Sequence, residues 1–268
     1  MLNTIIFSKD RGCQLELLLR SMQEFYPSHV PSAVTVICKW TTPKYKEGYS
    51  KTFKLHPEYH YVIEQDRDFR RWVVDTVDAT KKYTVFLVDD NVFKEPFSYT
   101  DPEFRRFEDD PTNVLCLTLR MHPRINYCYT EKRPTPAPTV WEAPGVWRWK
   151  DMGLLGDWAY PMSVDAHIYY TQDILPYVQG CSYQNPNTME GSWWRSPIQK
   201  PFMVCYQKSC VMNIPFNRVQ DANGNHAGNI SAEYLNEQYL AGKKISLNPI
   251  RGLDNISAHQ EIPLVMEP

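Results

Sequence analysis

Two short apolar runs near the N-terminus enclose a segment of helical periodicity, and this order constrains the fold more than any other feature. Residues 4–7 and 33–38 are rich in β-branched side chains and predict buried strands. Between them, leucines recur at helical spacing as far as Met22, and Pro27 follows the predicted helix. A strand, a helix and a second strand in this order predict a β-α-β crossover and therefore a parallel sheet.

The remaining chain continues the same alternation and then changes character. Further strands are predicted at residues 61–64, 84–88, 113–119, 166–170 and 203–206. A helix is predicted at 69–77, and another runs from the N-cap Ser231 to about Ala241. A Tyr- and Lys-rich loop is expected before residue 61, and prolines and tryptophans make 127–161 an irregular region. The fold class predicted is α/β, with an open, mostly parallel sheet flanked by helices.

Composition limits the classes of function. With 43% hydrophobic residues among 268, the chain can bury a full-sized core, and we expect a single domain over residues 1–268 with halves meeting near residue 120. A net charge of −2 argues against a nucleic-acid partner. No apolar run approaches the ~18 residues of a membrane span. The N-terminus lacks signal-peptide features, and the seven cysteines contain no C-x-x-C pair, so we expect buried thiols and a cytoplasmic location.

Polar side chains follow two of the predicted strands at the point where each strand ends. Asp10 and Arg11 come after the first strand, and Asp89, Asp90 and Asn91 come after the strand at 84–88. If the strands are parallel, both clusters lie at one sheet edge, where α/β proteins bind ligands. Carboxylate and amide oxygens suit Mg²⁺ or Mn²⁺, which in turn neutralise phosphate. The alternative is that the acids only end the strand in an Asx-type turn.

Two common phosphate-binding loops are absent from the sequence. Neither G-x-x-x-x-G-K-[ST] nor G-x-G-x-x-G follows the first strand, and the chain has only 11 glycines. A nucleotide would therefore have to be held by a metal ion and basic side chains.

At this point the sequence resembles the GT-A-type, family 2-like glycosyltransferases. The nucleotide half is similar in IIFSKDRGCQLELLLRSM and VFLVDDNVF, and the acceptor half in MSVDAHIYYTQDILPYVQG and NPNTMEGSWW. The resemblance implies a hexosyl- or pentosyltransferase with a nucleotide-sugar donor, a divalent metal (Mn²⁺ or Mg²⁺), and a glycan, lipid-linked or protein acceptor. One departure concerns the metal: Asn91 stands where the D-x-D motif has its final acid.

The resemblance also implies roles for individual residues. Those expected to bind the nucleotide are Ser8, Asp10, Arg11, Asp66, Arg70 and Asp90. Those expected to bind the metal are Asp89, Asn91 and His259. Those expected to contact the acceptor or sugar are Trp158, His167, Trp193 and Trp194. The competing interpretations are core packing for the tryptophans, a structural role for the late histidine and a solvated helix face for Arg70.

An inverting transfer needs a base for the acceptor hydroxyl. Glu190 is the first candidate, by its position after the acceptor-half helix, and Asp165 is the second; either could instead be a surface or capping acid. If the reaction retains configuration, neither needs to be a base. Two other functions remain open: a sugar-nucleotide nucleotidyltransferase, disfavoured by the missing Gly-rich loop, and a non-catalytic carbohydrate-binding module on the Trp-rich region.

Overall fold

The computed structural model describes residues 2–26, 32–64, 68–153, 156–219 and 226–268, and within them an eight-stranded mixed sheet carries helices on both faces. The helices are α1 (Gly12–Phe25), α2 (Pro43–Leu55), α3 (Phe69–Thr76), α4 (Pro102–Asp109), α5 (Thr171–Gly180), α6 (Pro186–Trp194) and α7 (Ala232–Leu240). The strands are β1 (Leu2–Lys9), β2 (Ser32–Lys39), β3 (His60–Ile63), β4 (Tyr83–Val88), β5 (Asn91–Phe93), β6 (Val114–Thr118), β7 (Tyr127–Cys128), β8 (Arg133–Pro134), β9 (Val146–Arg148), β10 (His167–Tyr170), β11 (Phe202–Cys205), β12 (Val211–Asn213), β13 (Lys244–Ile245) and β14 (Met266–Glu267).

The large sheet has the strand order β3-β2-β1-β4-β10-β6-β11-β9. β1 pairs in parallel with both β2 and β4, so the predicted crossover and the predicted mostly parallel sheet are confirmed. β10 is antiparallel to β4 and to β6, which makes β4 and β6 point the same way. The carboxyl ends of β1, β4 and β6 therefore meet at one edge. Strands from both halves of the chain share this sheet.

Helices cover both faces because each has one apolar stripe. One layer packs α1, α2 and α4 against the sheet through residues such as Leu15, Tyr49 and Phe104. The other packs α3, α5 and α6 through residues such as Val73 and Ile174. At about 25 cal/mol per Å² of apolar surface, the burial of these two layers is the main stabilising term of the fold.

The Tyr- and Lys-rich stretch before β3 is a helix rather than the predicted loop. Thr42 accepts a hydrogen bond from the backbone N–H of Tyr45, and Pro43 occupies the first turn, so α2 has a regular N-terminus. Few of its residues are apolar and buried, which is why periodicity alone did not reveal it.

The Pro- and Trp-rich region is irregular, as predicted, but closely packed. It contains β7, β8, β9 and two 3₁₀ turns, Trp149–Met152 and Gly156–Ala159. The Trp147 indole N–H donates to the Trp158 carbonyl, and the Trp158 indole N–H donates to that of Ile125. Buried indoles with satisfied N–H groups explain how a proline-dense segment stays ordered.

Two expectations from composition concern thiols and membrane spans. All seven cysteines lie among the described residues as free thiols, and all but Cys181 are buried. In the same part of the chain, no helix combines the length and apolar character needed to cross a bilayer.

Candidate functional site

A cavity of about 850 Å³ opens at the sheet edge where β1, β4 and β6 end. Its walls include both strand-end clusters and the segment before β10. Residues from all these elements line it, among them Ser8, Arg11, Asp89, Asp90, Arg120, Asp157, Asp165, Glu190 and His259. The prediction that the first-strand and central-strand clusters share one edge is confirmed.

Asp89 is surrounded by donors from the end of β1. Its Oδ2 accepts hydrogen bonds from the Ser8 hydroxyl at 2.8 Å and the Lys9 backbone N–H at 3.0 Å. Its Oδ1 accepts from the Arg11 guanidinium at 2.9 Å. The side chain is only 5% exposed. Both carboxylate oxygens are thus used inside the protein, which does not fit the open metal ligand expected at this position.

Arg11 is equally engaged. Besides Asp89, its guanidinium donates to the side-chain oxygen of Asn217 at 2.8 Å and to the Asn217 carbonyl at 2.5 Å. It also lies 3.5 Å from Asp90. Burial lowers the pKa of Arg11, but Asp89 and Asp90 outweigh this and leave it raised. Arg11 therefore joins the loop at Asn217 to the strand-end acids.

Asp10 does not line the cavity, contrary to the expectation for a nucleotide ligand. It takes a left-handed backbone conformation with φ of 56° directly after β1. Its carboxylate accepts from the backbone N–H and the hydroxyl of Thr41, at 2.7 and 3.0 Å. The side chain ties the turn after β1 to the turn after β2.

Asn91 is fully buried and also lacks an oxygen open to a ligand. Its amide oxygen accepts from the Val88 backbone N–H at 2.9 Å, so it closes the turn between β4 and β5. Its amide nitrogen lies 3.4 Å from the Asp165 carboxylate. A structural role therefore describes Asn91 better than the metal role does, although the donor is the residue three positions before it and not the one two positions after it, as in an Asx turn.

Asp90 is the member of the triplet that reaches the cavity with a lightly used carboxylate. Oδ1 accepts from the Asn213 amide at 3.2 Å, and within the described ranges Oδ2 has one contact, with Arg11 at 3.5 Å. Burial, offset by Arg11 and reinforced by Asp165, raises the pKa of Asp90 to about 6. A cation beside Asp90 would favour its charged form.

Asp165 lies close to Asp90, in the turn before β10, because the Asn213 amide donates to both carboxylates, at 3.1 and 3.2 Å. Ala166 next to it has a left-handed backbone, with φ of 55°, a conformation that non-glycine residues adopt at a cost of about 1–3 kcal/mol. The carboxylate accepts from Asn213 at 3.1 Å and pairs with His259 Nε2 at 3.4 Å. Burial opposes ionisation, but His259 and Arg120 hold the pKa of Asp165 well below its usual range.

His259 lies inside the cavity as the partner of acids. Its Nε2 faces Asp165, and its Nδ1 lies 4.0 Å from Asp157. Burial lowers the pKa of His259, yet the Asp165 contact leaves it raised. Among the described residues, no three His, Cys, Asp or Glu side chains converge as a ready metal site.

Arg120 is a functional candidate that the sequence reasoning missed. It lies two residues after the end of β6, and its side chain is 2% exposed. The guanidinium contacts Asp157 at 3.3 Å, Asp165 at 3.5 Å and the Ser163 hydroxyl at 3.4 Å. The signal was available: a charged residue ending a buried parallel strand is the same pattern that singled out Asp89.

Glu190 lies on α6, whose N-terminus is closed by a capping box between Asn185 and Thr188. Its Oε1 accepts from the Val164 backbone N–H at 2.7 Å and the Ser163 hydroxyl at 2.9 Å. Its Oε2 has a long contact, 3.5 Å, with the Tyr160 hydroxyl. Burial and then the charge of Asp165 raise the pKa of Glu190 to about 7, despite the hydrogen bond from Val164.

Three of the four predicted sugar-contacting residues are corrected by their burial. Trp158, His167 and Trp193 each have 0% exposure, so none presents a face to a ligand. The core-packing interpretation holds for both indoles, since they belong to the core between the sheet and α6. Trp194 is half-buried and stacks on Tyr160, with ring centroids 5.3 Å apart, and Tyr160 lines the cavity.

One predicted nucleotide contact, Arg70, lies away from the cavity. Arg70 donates to the backbone carbonyls of Gln179 and Cys181 at the end of α5 and does not line the cavity, so that prediction is corrected. An arginine at a helix C-terminus is stabilising because it complements the helix dipole. Asp66 lies outside the described residues.

Three solved structures illustrate what the chain is similar to. TarS from S. aureus, residues 1–349, has 11% identity and a TM-score of 0.46 and is covered over 59% of its length by 79% of this chain. The same fragment in complex with UDP-GlcNAc has 10% identity and a TM-score of 0.41, and the match covers 59% of that chain and 77% of this one. The mannosyltransferase PcManGT from Pyrobaculum calidifontis, in complex with GDP-Man and Mn²⁺, has 11% identity and a TM-score of 0.42. That match covers 54% of PcManGT and 76% of this chain.

The chain thus spans three fifths or less of these proteins' lengths. No protein-family model and no curated protein sequence matches it. The expected α/β fold class, with a mostly parallel sheet flanked by helices, is confirmed by the sheet itself.

Proposed function

We propose that this chain is a glycosyltransferase that moves a sugar from a nucleotide-sugar donor to a hydroxyl of a glycan, lipid-linked or protein acceptor, with inversion. One observation carries the proposal: Glu190, with a pKa of about 7, lines the same cavity as Asp90 at the carboxyl ends of the parallel strands. A base whose pKa lies near neutral pH is well suited to take a hydroxyl proton.

The proposed reaction is a single displacement at the anomeric carbon of the donor sugar. The acceptor oxygen attacks the anomeric carbon, and its proton passes to a carboxylate oxygen of Glu190. The bond between the anomeric carbon and the diphosphate oxygen breaks, and its electron pair leaves with the diphosphate. Inversion requires base and leaving group on opposite faces of the sugar ring. This suits acids contributed by α6 on one side and by the turn after β4 on the other.

The donor half of the cavity would bind the nucleotide. Ser8 and Arg11 line it at the end of β1, and both are held in place by Asp89. Lys9 and Arg218 also line the cavity and supply positive charge for a diphosphate. Their participation is part of the proposal, as is that of Asp90.

A divalent metal fits this site only in part. Asp89 and Asn91 have their oxygens occupied, and His259 pairs with Asp165, so Asp90 is the residue that would hold Mg²⁺ or Mn²⁺. Such an ion would neutralise the diphosphate of the donor. Its remaining ligands would have to come from the donor and water.

The test is a thermal-shift panel of nucleoside diphosphates and nucleotide sugars, each with and without Mn²⁺. Binding to the folded state alone raises the melting temperature by mass action, so we expect one nucleoside series to stabilise the chain. Asp90→Asn is the site variant, and Asp151→Asn, on the surface, is its control. If calorimetry detects no nucleoside diphosphate binding with or without Mn²⁺, the proposed function is wrong.

The alternative of a Trp-based carbohydrate-binding module receives no support from the packing. Trp147, Trp158 and Trp193 have 0% exposure and cannot form a platform. A glycan array with and without nucleotide separates the two functions, because a binding module would capture glycans without any nucleotide.

A further inference from the structure

We infer that Ser163, oriented by Arg120, is a positioning residue that commits one oxygen of Glu190 to the protein and presents the other, Oε2, to the acceptor hydroxyl. The inference rests on the proposed function, because it concerns the base of that reaction. It is drawn from the polarity of the hydrogen bonds around a single hydroxyl group.

The Ser163 hydroxyl has its acceptor capacity filled from two sides. The Asp165 backbone N–H donates to it at 3.1 Å, and the Arg120 guanidinium donates at 3.4 Å. Neither group can accept a hydrogen bond, so the single hydroxyl proton must point elsewhere. The partner in reach is Glu190 Oε1, at 2.9 Å. Ser163 is therefore a donor to Glu190.

Glu190 Oε1 receives a second donor, the Val164 backbone N–H at 2.7 Å. An oxygen that accepts two short hydrogen bonds is the one that carries negative charge and not the proton. Protonation of Glu190 thus falls on Oε2, whose contact within the protein is the Tyr160 hydroxyl at 3.5 Å. Because Glu190 lines the cavity, Oε2 is the oxygen available to the acceptor.

The segment that carries Ser163 is itself held rigidly. The Tyr169 hydroxyl donates to the Ser163 carbonyl at 2.6 Å from within β10. Arg120 is fixed by Asp157 and Asp165, which flank it from two different turns. Among the described residues, the charged and titratable groups that face Glu190 include Asp165, Arg120, Tyr160 and Tyr169. Ser163 carries no charge, so its replacement changes the orientation of Glu190 without changing the net charge around it.

The experiment compares Ser163→Ala, Ser163→Cys and Ser163→Thr with wild type, using the nucleotide sugar found by the donor panel. Loss of a hydrogen bond to a charged group costs roughly ten- to hundredfold. We expect kcat to fall by that factor in Ser163→Ala, with the donor KM within about twofold of wild type. Ser163→Thr, which keeps the hydroxyl, is expected to recover most of the loss. Ser192→Ala is the matched control, because that hydroxyl donates to the Met189 carbonyl within α6.

The pH profile separates positioning from a purely structural role. The Ser163 hydrogen bond lowers the pKa of Glu190, so its removal raises that pKa and moves the acidic limb of kcat/KM to higher pH. Ser163→Cys replaces the hydroxyl with a somewhat larger thiol, which is a weak donor. The same direction of shift is expected for this variant, and it serves as the test if Ser163→Ala does not fold. A ¹³C NMR titration of the glutamate carboxyls measures the shift without any turnover.

Wild-type kcat together with an unmoved limb in Ser163→Ala and Ser163→Cys would overturn the inference. An NMR shift without a change in kcat would overturn it as well, since the hydrogen bond would then have no part in catalysis. Failure of the wild type to bind any nucleoside diphosphate is a different result, because it refutes the proposed function itself.

Discussion

The charged side chains that line the cavity are paired to different extents. At the ends of β1 and β4, the Arg11 guanidinium donates to the Asp89 carboxylate at 2.9 Å. Asp89 also accepts from the Ser8 hydroxyl at 2.8 Å, and Arg11 also donates to the Asn217 carbonyl at 2.5 Å. On the side of β6 and α6, the contacts of Arg120 with Asp157 and Asp165 range from 3.3 to 3.5 Å. Glu190 and Asp90, which have lightly used oxygens, have pKa values raised to about 7 and about 6.

This difference separates charged residues that stabilise the fold from charged residues that could take part in a reaction. A fully paired buried charge stabilises one arrangement and has no capacity left for a ligand. A buried acid with a raised pKa can gain and lose a proton near neutral pH, which is the property of a catalytic group. The three polar residues of VFLVDDNVF therefore differ in role. Asp89 and Asn91 stabilise the fold through their hydrogen bonds, and Asp90 presents a carboxylate to the cavity.

The largest expected effect tests the structural side. Asp89→Ala leaves the buried Arg11 guanidinium without its nearer carboxylate partner, and breaking such a buried ion pair costs about 3–5 kcal/mol. We expect a loss of that order in the free energy of unfolding, measured by urea denaturation. Asp151→Ala, at an exposed position, serves as the control and is expected to stay within about 0.5 kcal/mol of wild type. An Asp89→Ala protein with the wild-type free energy of unfolding would contradict the structural role given to Asp89.

The next effect tests the chemical side through the dependence of stability on pH. The folded-state pKa of Glu190 is about 7, against about 4.3 in an unfolded chain, so the native state binds the extra proton in this window. Stability contributed by this group is therefore lost as pH rises from about 4.3 to 7. Glu190→Gln removes the titration, and its stability relative to wild type should increase by about 1.4 kcal/mol per pH unit in the window.

The matched variant for this prediction is Asp90→Asn. The folded-state pKa of Asp90 is about 6, so the same sign is expected over a narrower window, from about 3.9 to 6. Urea denaturation of the three proteins at half-unit pH steps measures both slopes. Parallel curves for wild type and Glu190→Gln would contradict the raised pKa of Glu190.

The smallest expected effect concerns the mouth of the cavity. Trp194 is half-buried, so Trp194→Ala should cost clearly less than the roughly 3–5 kcal/mol typical of a buried tryptophan. If its stacked pair with Tyr160 supports the acceptor, the acceptor KM rises several-fold while the donor KM is unchanged. An unchanged acceptor KM would remove Trp194 from the site.

How much of the fold the sequence predicts depends on whether the signal is local. The first strand, helix and strand were predicted because each shows its own periodicity over a few turns. α2 was missed although Thr42 and Pro43 mark its start, because only a few of its residues are buried. The antiparallel placement of β10 between β4 and β6 depends on pairing across distant segments, which no local pattern records.

Some features of the candidate site could be predicted from the sequence and others could not. Glu190, Asp165, Asp90 and His259 were predicted as site residues, and the fold brings all four to one cavity. Their partners were not predictable, because the contacts join residues far apart in the chain, as Asn91 with Asp165 and Arg120 with His259. Trp158 and Trp193 were misassigned since sequence alone does not distinguish a buried indole from a sugar platform.

The central claim is that Glu190 is the base of a sugar transfer in this cavity. The most direct measurement is the pH dependence of kcat/KM for transfer, in wild type and Glu190→Gln, with the donor identified by the binding panel. We expect an acidic limb near pH 7 in wild type. In Glu190→Gln we expect that limb to vanish, kcat to fall by about 10²–10⁴ and donor affinity to be kept. Equal turnover in the two proteins, or the same acidic limb in both, would contradict the account.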